Sequence, residues 1–216
     1  MLRAKEVNMN ARTPTTVLSQ SEQEKLLEKL GMFKIQGRDK RGRKLLCIIG
    51  KLFPAKHVSV EALKKYLEEK ILPGLDERPF VVVYLHTGVQ RRENFPGISA
   101  LRSIYDAIPI NVKDRIEAVY FLHPGLQSRL FLATFGRLVL RRGLYWKLKY
   151  VSRLEFLWEH VRRNEIEIPE FVSDHDEELE SRPMMNYGLE SDHPRSACSA
   201  PVVDSPFSVY SMRCIA

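Results

Sequence analysis

The order of apolar and polar residues along the chain predicts strands that alternate with helices. Residues 80–85 (FVVVYL) and 118–122 (AVYFL) are continuous apolar runs, as in strands that are covered on both faces of a parallel sheet. Shorter runs at 33–35 and 45–49 flank a polar, glycine-containing segment and predict a hairpin at the start of the sheet. Since helical patterns separate the later strands, we expect an α/β fold with a mostly parallel sheet.

Helices are predicted where apolar residues recur every three or four positions, at residues 59–71, 97–106 and 128–140. A shorter N-terminal helix is expected as well, because Ser21 and Glu24 have the spacing of a capping box. These elements supply the helical layers that a parallel sheet needs to cover its faces.

Two segments near the end of the predicted domain are expected to be extended. Trp146, Leu148 and Tyr150 alternate with lysines, which predicts a strand over 144–150 with these three side chains in the core. An extended end piece is expected at 168–172, after a closing helix.

Composition divides the chain into three parts. We expect a flexible N-terminus over residues 1–20, one domain over 21–180, and a disordered tail over 181–216, where four prolines and seven serines occur without apolar periodicity. No apolar run approaches the ~20 residues that span a bilayer. The N-terminal residues lack the apolar core of a signal peptide, so a cytoplasmic protein is expected.

The net charge of +7 is concentrated in one segment. Residues 129–153 contain seven basic residues and no acidic one, so the other 27 basic and 27 acidic residues cancel. A focused basic surface beside apolar residues favours an anionic partner, either an acidic membrane or nucleic acid. The cations that we expect to contact this partner are Arg129, Arg137, Arg141, Arg142, Lys147 and Lys149.

The same segment has alternative explanations. Aromatic residues and lysines at 145–150 could stack the bases of a single-stranded nucleic acid, but a strand with aromatic residues in the core explains the pattern more simply. The apolar residues at 129–142, with their basic end, predict a helix at a membrane interface, and the alternative is an ordinary core helix with a solvated end.

Little in the sequence indicates catalysis. His86 and His123 each follow a buried strand, where ligands bind in open α/β sheets, but neither has the companions of a catalytic triad. The simplest role for both is an imidazole hydrogen-bonded near the end of its strand. Single glycines at these turns do not form a phosphate loop, and the three cysteines lack metal-ligand spacing. We therefore expect a noncatalytic protein without a metal or cofactor.

Four segments resemble the divergent CRAL-TRIO family of lipid-binding domains, which is related to the phosphatidylinositol transfer proteins. They are YLHTG (84–88), LRSIY (101–105), VYFLHP (119–124) and IPEFV (168–172), and the resemblance covers about 33–172. The BCH-type branch, found in ganglioside-induced differentiation-associated and Rho GTPase-activating proteins, is the most similar.

The resemblance implies a CRAL-TRIO-like sheet that floors an apolar lipid pocket, with residues 128–140 as a mobile gate helix. Residues of the pocket and gate would be Tyr84, His86, Tyr120, Leu122, His123, Leu130, Phe131, Phe135 and Leu138. The implied ligand is a hydrophobic lipid or phospholipid, taken from an acidic membrane with which the cytoplasmic protein associates reversibly.

The chain also departs from the transfer proteins. Its N-terminal helical bundle is reduced to one short helix, and PEFV at 169–172 replaces the glycine pair expected after the last strand. The headgroup-binding residues of the family therefore do not carry over to this sequence. BCH-type domains resemble interaction modules, so a scaffold that binds a Rho-type GTPase or forms a homodimer is the alternative function.

Overall fold

Five strands and nine α-helices make up the part of the chain that the structure describes. The computed structural model describes residues 18–181, without the side chains at positions 138, 139, 141 and 142. The strands are β1 (Phe33–Arg38), β2 (Lys44–Ile49), β3 (Phe80–Leu85), β4 (Ile116–Leu122) and β5 (Leu148–Val151). The helices are α1 (Gln20–Leu30), α2 (Val60–Tyr66), α3 (Arg91–Asn94), α4 (Ile98–Ala107), α5 (Ile110–Arg115), α6 (Leu126–Val139), α7 (Arg141–Trp146), α8 (Leu154–Trp158) and α9 (Glu170–Ser181). None of these helices has the length and apolar content to cross a membrane.

The strands form one sheet in the order β1-β2-β3-β4-β5, in which only β1 is antiparallel to its neighbour. The predicted α/β class, hairpin and mostly parallel sheet are therefore confirmed.

The helices that connect the parallel strands lie on one face of the sheet. Each of these connections moves the chain to the next strand in the same direction, and such connections are right-handed, so all of them cross the same face. We call the apolar layer on this face the crossover core. It contains Leu27 of α1, Leu63 of α2, and Val82 of β3.

The opposite face of the sheet is covered by the segment that follows β5. Leu154 and Leu157 of α8, together with Val172 of α9, pack there against Val83 and Leu122. We call this layer the C-terminal core. The alternation of side chains along β2, β3 and β4 divides their apolar residues between the two cores, which explains why these strands are apolar at almost every position.

Three local predictions are corrected. The capping box of α1 uses Ser19 and Glu22 instead of the predicted pair two residues later. Residues 144–146 belong to helix α7 and the strand begins only at Leu148, so Trp146 is 72% exposed and does not face the core; Tyr150, also predicted in the core, is 43% exposed. The expected extended piece at 168–172 instead leads into α9, which begins at Glu170.

The predicted tail at 181–216 lies, except for its first residue, outside the described residues, as do residues 1–17 of the predicted flexible N-terminus.

Gly37 allows β1 to lie against the segment that precedes α9. Its φ is +68°, and a Cβ atom there would lie 2.6 Å from the carbonyl oxygen of Glu165. Gly42, in the β1–β2 turn, also has a positive φ of +81° but has no atom within 4 Å of such a Cβ. The two positions therefore share the backbone strain and differ in the steric contact.

We expect Gly37→Ala to lower the free energy of unfolding by about 1–3 kcal/mol more than Gly42→Ala, because only the first substitution forces the backbone apart. Urea denaturation of both variants measures the difference. Equal losses in the two variants would show that the contact with Glu165 relaxes without cost.

Candidate functional site

Aromatic rings gather where the parallel strands end, on the crossover face of the sheet. Tyr84 and Phe121 lie on adjacent strands with ring centroids 4.9 Å apart, and His86 lies 4.9 Å from Phe121. Tyr150 on β5 meets the edge of the Phe121 ring at 6.1 Å. We call these four residues the strand-end cluster. Its position agrees with the rule that ligands of open α/β sheets bind beyond the carboxyl ends of the strands.

The strand-end cluster is an apolar environment. Burial raises the pKa of Tyr84 to about 12 and lowers the pKa of His86 to about 4, because both charged forms lose hydration. Nδ1 of His86 is buried and has no hydrogen-bond partner among the described residues. His86 is therefore neutral at pH 7 and has a free nitrogen close to the rings, where a polar atom of a ligand could bind.

Acid should destabilise the protein through His86. Its folded-state pKa of about 4 lies below the ordinary value of 6.5, so the unfolded chain takes up the proton first. The stability contributed by neutral His86 is complete above pH 6.5 and is lost as the pH falls toward 4, by roughly 3 kcal/mol in total. We expect His86→Phe to flatten the dependence of unfolding free energy on pH in this window.

Urea denaturation between pH 7 and pH 4 measures this slope for parent and variant. His57→Gln is the matched control, since it removes a histidine that is exposed on the surface. If the His86→Phe curve runs parallel to that of the parent, His86 is not held neutral by its surroundings.

Helix α6 lies next to the strand-end cluster. The guanidinium of Arg129 is 5.9 Å from the centre of the Tyr150 ring, and Arg129 Nε donates to the carbonyl oxygen of Pro124. Phe131 meets the edge of Phe95 at 5.5 Å, and Phe135 lies 5.5 Å from Phe131. This helix covers nearly the same residues as the helix predicted at 128–140.

Much of the apolar surface of α6 faces outward. Leu130 is 59% exposed, and Leu126 and Phe135 are also exposed. At the other end of the helix, Gly136 gives room for the ring of Tyr145, which a Cβ atom would approach to 2.7 Å. Leu126 and Leu130 are four residues apart and share one face of the helix, whereas Phe135 lies on the opposite side beside Phe131. Exposed apolar residues on a helix are typical of a surface that binds a partner or a membrane.

The predicted pocket residues fall on both faces of the sheet. Tyr84, His86, Leu130, Phe131 and Phe135 lie on the crossover side. Three others lie in the C-terminal core, on the far side of the sheet from α6: Tyr120, Leu122 and His123. These three do not line the space below α6, which corrects their expected placement. The side chain of Leu138 lies outside what the structure describes.

Sequence reasoning missed Phe121, Tyr150 and Phe95 as members of this site. No signal in the sequence separates Phe121 from its neighbours, because β4 is apolar on both faces. In the structure Phe121 shares a face with Val119, which packs in the crossover core. The prediction selected its neighbours Tyr120 and Leu122, which point the other way.

His123 belongs to a buried hydrogen-bond network that joins α9 to the sheet. Thr87 Oγ1 lies 2.7 Å from Nδ1 of His123, and Nε2 of His123 lies 3.0 Å from Oδ1 of Asp176. The same carboxylate accepts from the backbone N–H of Leu154 at 2.8 Å and from Nε of Arg153 at 3.1 Å. We call these groups the α9 network. Thr87 and Asp176 are hydrogen-bond partners of His123 that the sequence did not reveal.

The electrostatics of the α9 network favour a neutral imidazole and an ionised carboxylate. Burial, the largest effect, lowers the pKa of His123, while the hydrogen bond to Asp176 opposes it. Burial raises the pKa of Asp176, but hydrogen bonds from Leu154, His123 and Arg153 outweigh it and the pKa is lowered. His123 then donates from Nε2 to Asp176 and accepts the hydroxyl proton of Thr87 at Nδ1.

The order Thr87, His123, Asp176 resembles a hydroxyl–imidazole–carboxylate triad, but the geometry does not favour catalysis. Thr87 is only 4% exposed and His123 only 8%, so a substrate could not reach the hydroxyl oxygen. The carboxylate is shared with Arg153 and a backbone N–H of α8. The network therefore acts as a structural link between α9 and the sheet.

The predicted cations do not form one surface. Arg129 and Arg137 are exposed on α6, and the guanidinium of Arg137 lies 5.8 Å from the centre of the Trp146 indole. Lys147 donates to the backbone carbonyl of Asp114 at 3.4 Å, while Lys149 lies over Tyr120 on the opposite face of the sheet. The side chains of Arg141 and Arg142 lie outside the described part of the chain.

Neither of the two best-defined cavities lies at the strand-end cluster. One of about 10 Å³ lies between the π-helical turn Leu67–Ile71 and α4. The other, of about 250 Å³, lies at the opposite edge of the sheet, where the strands begin. Both cavities therefore lie away from helix α6.

The architecture defines a class of protein. It is an α/β domain with a mostly parallel sheet, an aromatic cluster at the carboxyl ends of its strands and a helix with exposed apolar residues beside it. The carboxyl ends of the strands are where ligands of open α/β sheets bind.

Comparison with known sequences identifies the family. The model of the "Divergent CRAL/TRIO domain" matches residues 42–178, so the chain belongs to the divergent CRAL/TRIO family. This is a lipid-binding type of domain, and its members are generally noncatalytic binders.

Curated relatives carry the same domain within longer chains. Ganglioside-induced differentiation-associated protein 2 of Xenopus tropicalis is 30% identical over 143 residues, which is 65% of this chain and 28% of the relative. The protein GDAP2 homolog of Drosophila melanogaster is 26% identical over 147 residues, which is 68% of this chain and 27% of the relative. The similarity thus spans little more than a quarter of either relative.

Proposed function

We propose that the chain is a noncatalytic domain that binds one hydrophobic lipid, such as a phospholipid or phosphoinositide, between the sheet and helix α6. The observation that carries the proposal is the strand-end cluster, an apolar aromatic floor at the ligand-binding edge of the sheet. The unpaired Nδ1 of His86 is the polar group that a ligand would satisfy there.

The way α6 is held supports its role as a gate. Among the described residues, no side-chain hydrogen bond or ion pair ties this helix to the sheet. The hydroxyls of Ser128 and Thr134 bond to carbonyl groups within one turn of the chain, and Phe131 contributes a ring contact to Phe95. Apolar contacts of this kind can be exchanged for contacts with lipid chains at little cost, because both environments are apolar.

The outer surface of α6 supports reversible docking on an acidic membrane from the cytoplasm. Leu126 and Leu130 would enter the interface, while Arg129 and Arg137 would contact lipid phosphates. Transfer of a lipid between membranes would follow if α6 opens on the surface and closes in solution.

Native mass spectrometry tests lipid binding. We expect the purified protein, after incubation with liposomes of mixed lipids, to carry one lipid per chain. Phe121→Trp should reduce the bound fraction, because the larger ring fills the space below α6. Phe156→Trp on the outer surface of α8 is the control and should bind as the parent does. A parent that acquires no lipid under these conditions rules out the proposed function.

The scaffold alternative has one observation in its favour. Phe156 is 44% exposed on α8, on the side of the sheet away from α6, where membrane docking would leave it in water. An exposed aromatic residue of this kind fits a protein interface with a Rho-type GTPase or a second copy of the chain. Light scattering, which detects a dimer, and pull-down with a Rho-type GTPase test the scaffold function. If the chain is a scaffold, Phe156→Asp loses its partner and Phe121→Trp keeps it.

A further inference from the structure

A basic cleft opens at the edge of the sheet where the parallel strands begin. Its volume is about 250 Å³, slightly below the ~300–1,000 Å³ usual for small-molecule sites. Five cations line it, and the single carboxylate among the lining residues is Asp76. The cations are Arg38, Arg41, Arg43, Lys44 and Arg78. We call this the hairpin cleft, because most of its lining comes from the β1–β2 hairpin.

Only two of the five cations are neutralised by carboxylates of the described chain. Arg43 pairs with Asp39 at 2.6 Å and with Glu117 at 3.1 Å. Lys44 pairs with Asp76 at 2.9 Å. These contacts use Asp76, the carboxylate that lines the cleft, and two carboxylates outside its lining.

Three arginines remain without an ion pair among residues 18–181: Arg38, Arg41 and Arg78. Arg38 donates one hydrogen bond, from Nη1 to the carbonyl oxygen of Gly42, which leaves most of its donors free. Two of these arginines act on Asp76, whose pKa is lowered first by the hydrogen bond from Lys44 and further by the charges of Lys44, Arg78 and Arg38. The cleft thus has an excess of positive charge.

The hairpin that carries these arginines is held in place by a buried carboxylate. Asp39 is 2% exposed, and its Oδ1 accepts from the backbone N–H groups of Arg41 and Arg43. Asp39 also pairs with Val161 through the backbone, so the turn is fixed to the segment after α8. Positioning of this kind lowers the entropy lost on binding, as expected of a ligand site and not of a mobile loop.

We propose that the hairpin cleft binds a small ligand that carries phosphate groups. Guanidinium groups match phosphate oxygens through paired N–H donors, and three unneutralised arginines around one small cavity suit two or more phosphates on one molecule. A cleft of this volume accommodates a phosphorylated headgroup or small molecule and not the acyl chain of a lipid. The site is separate from the strand-end cluster, which lies at the opposite ends of the same strands.

Isothermal titration with inorganic diphosphate and with inositol trisphosphate tests the proposal. We expect both probes to bind the parent, with an affinity that falls as salt is added. In Arg41→Ala/Arg78→Ala the affinity should fall roughly tenfold for each arginine removed, since each arginine supplies charge-assisted hydrogen bonds. Lys25→Ala/Lys29→Ala, which removes two exposed cations of α1, should bind as the parent does. Thermal melts verify that both double variants fold.

A vesicle assay identifies the source of the phosphates. If phosphatidylcholine vesicles containing phosphatidylinositol bisphosphate recruit the parent but not Arg41→Ala/Arg78→Ala, the ligand is a lipid headgroup. If only the soluble probes depend on these arginines, the ligand is a free phosphorylated molecule. The proposal is overturned if the parent binds no probe, or if the double variant binds every probe as well as the parent.

Discussion

Reversing Arg129 and Arg137 to glutamate is expected to abolish sedimentation of the protein with vesicles of phosphatidylcholine and phosphatidylserine. Each cation near an acidic surface contributes about 1 kcal/mol, and each reversal replaces attraction by repulsion. The affinity should therefore fall by about 30-fold or more. Binding of the parent should also weaken as salt shortens the screening length.

The matched control reverses Lys25 and Lys29, two exposed lysines of α1, and changes the net charge by the same amount. If membrane docking occurs through α6, this control keeps most of its affinity. Equal loss in both variants would mean that only the overall charge of the protein matters, and retention of binding in both would rule out electrostatic docking through α6.

Asp176→Ala is expected to lower the free energy of unfolding by about 3–5 kcal/mol, because it leaves buried donors without an acceptor. The substitution removes the partner of His123 Nε2, of the Leu154 N–H and of Arg153 Nε. Urea denaturation at pH 7 measures the loss. Hydrogen exchange should also show early opening of α9, since this helix is linked to the sheet through the same carboxylate.

Asp174→Ala is the control on the same helix. Asp174 is exposed, so its replacement should change the stability by no more than about 0.5 kcal/mol. Should Asp176→Ala cost as little as Asp174→Ala, the α9 network contributes hydrogen bonds but no net stability.

Some features of the site could have been found from the sequence and were missed. Glu170 follows Pro169, and a proline directly before an acidic first turn is a signal for the start of a helix, which identifies α9.

One pattern in the sequence was misleading. Trp146, Leu148 and Tyr150 alternate with lysines as in a strand, although Trp146 is the last residue of helix α7. Trp146 is 72% exposed because it lies on a helix, where side chains do not alternate between two faces.

The sequence by itself determined the order of strands and helices along the chain, the hairpin, and the position of His86 at the end of a strand. These features depend on apolar periodicity and turn residues, which act over short distances. Only the tertiary structure decided which face each strand residue takes. β4 is apolar on both sides, and such a run carries no alternation to separate Phe121 from Tyr120. Likewise, Thr87, His123 and Asp176 are far apart in the chain and meet only because α9 folds back over the C-terminal core, which no local pattern encodes.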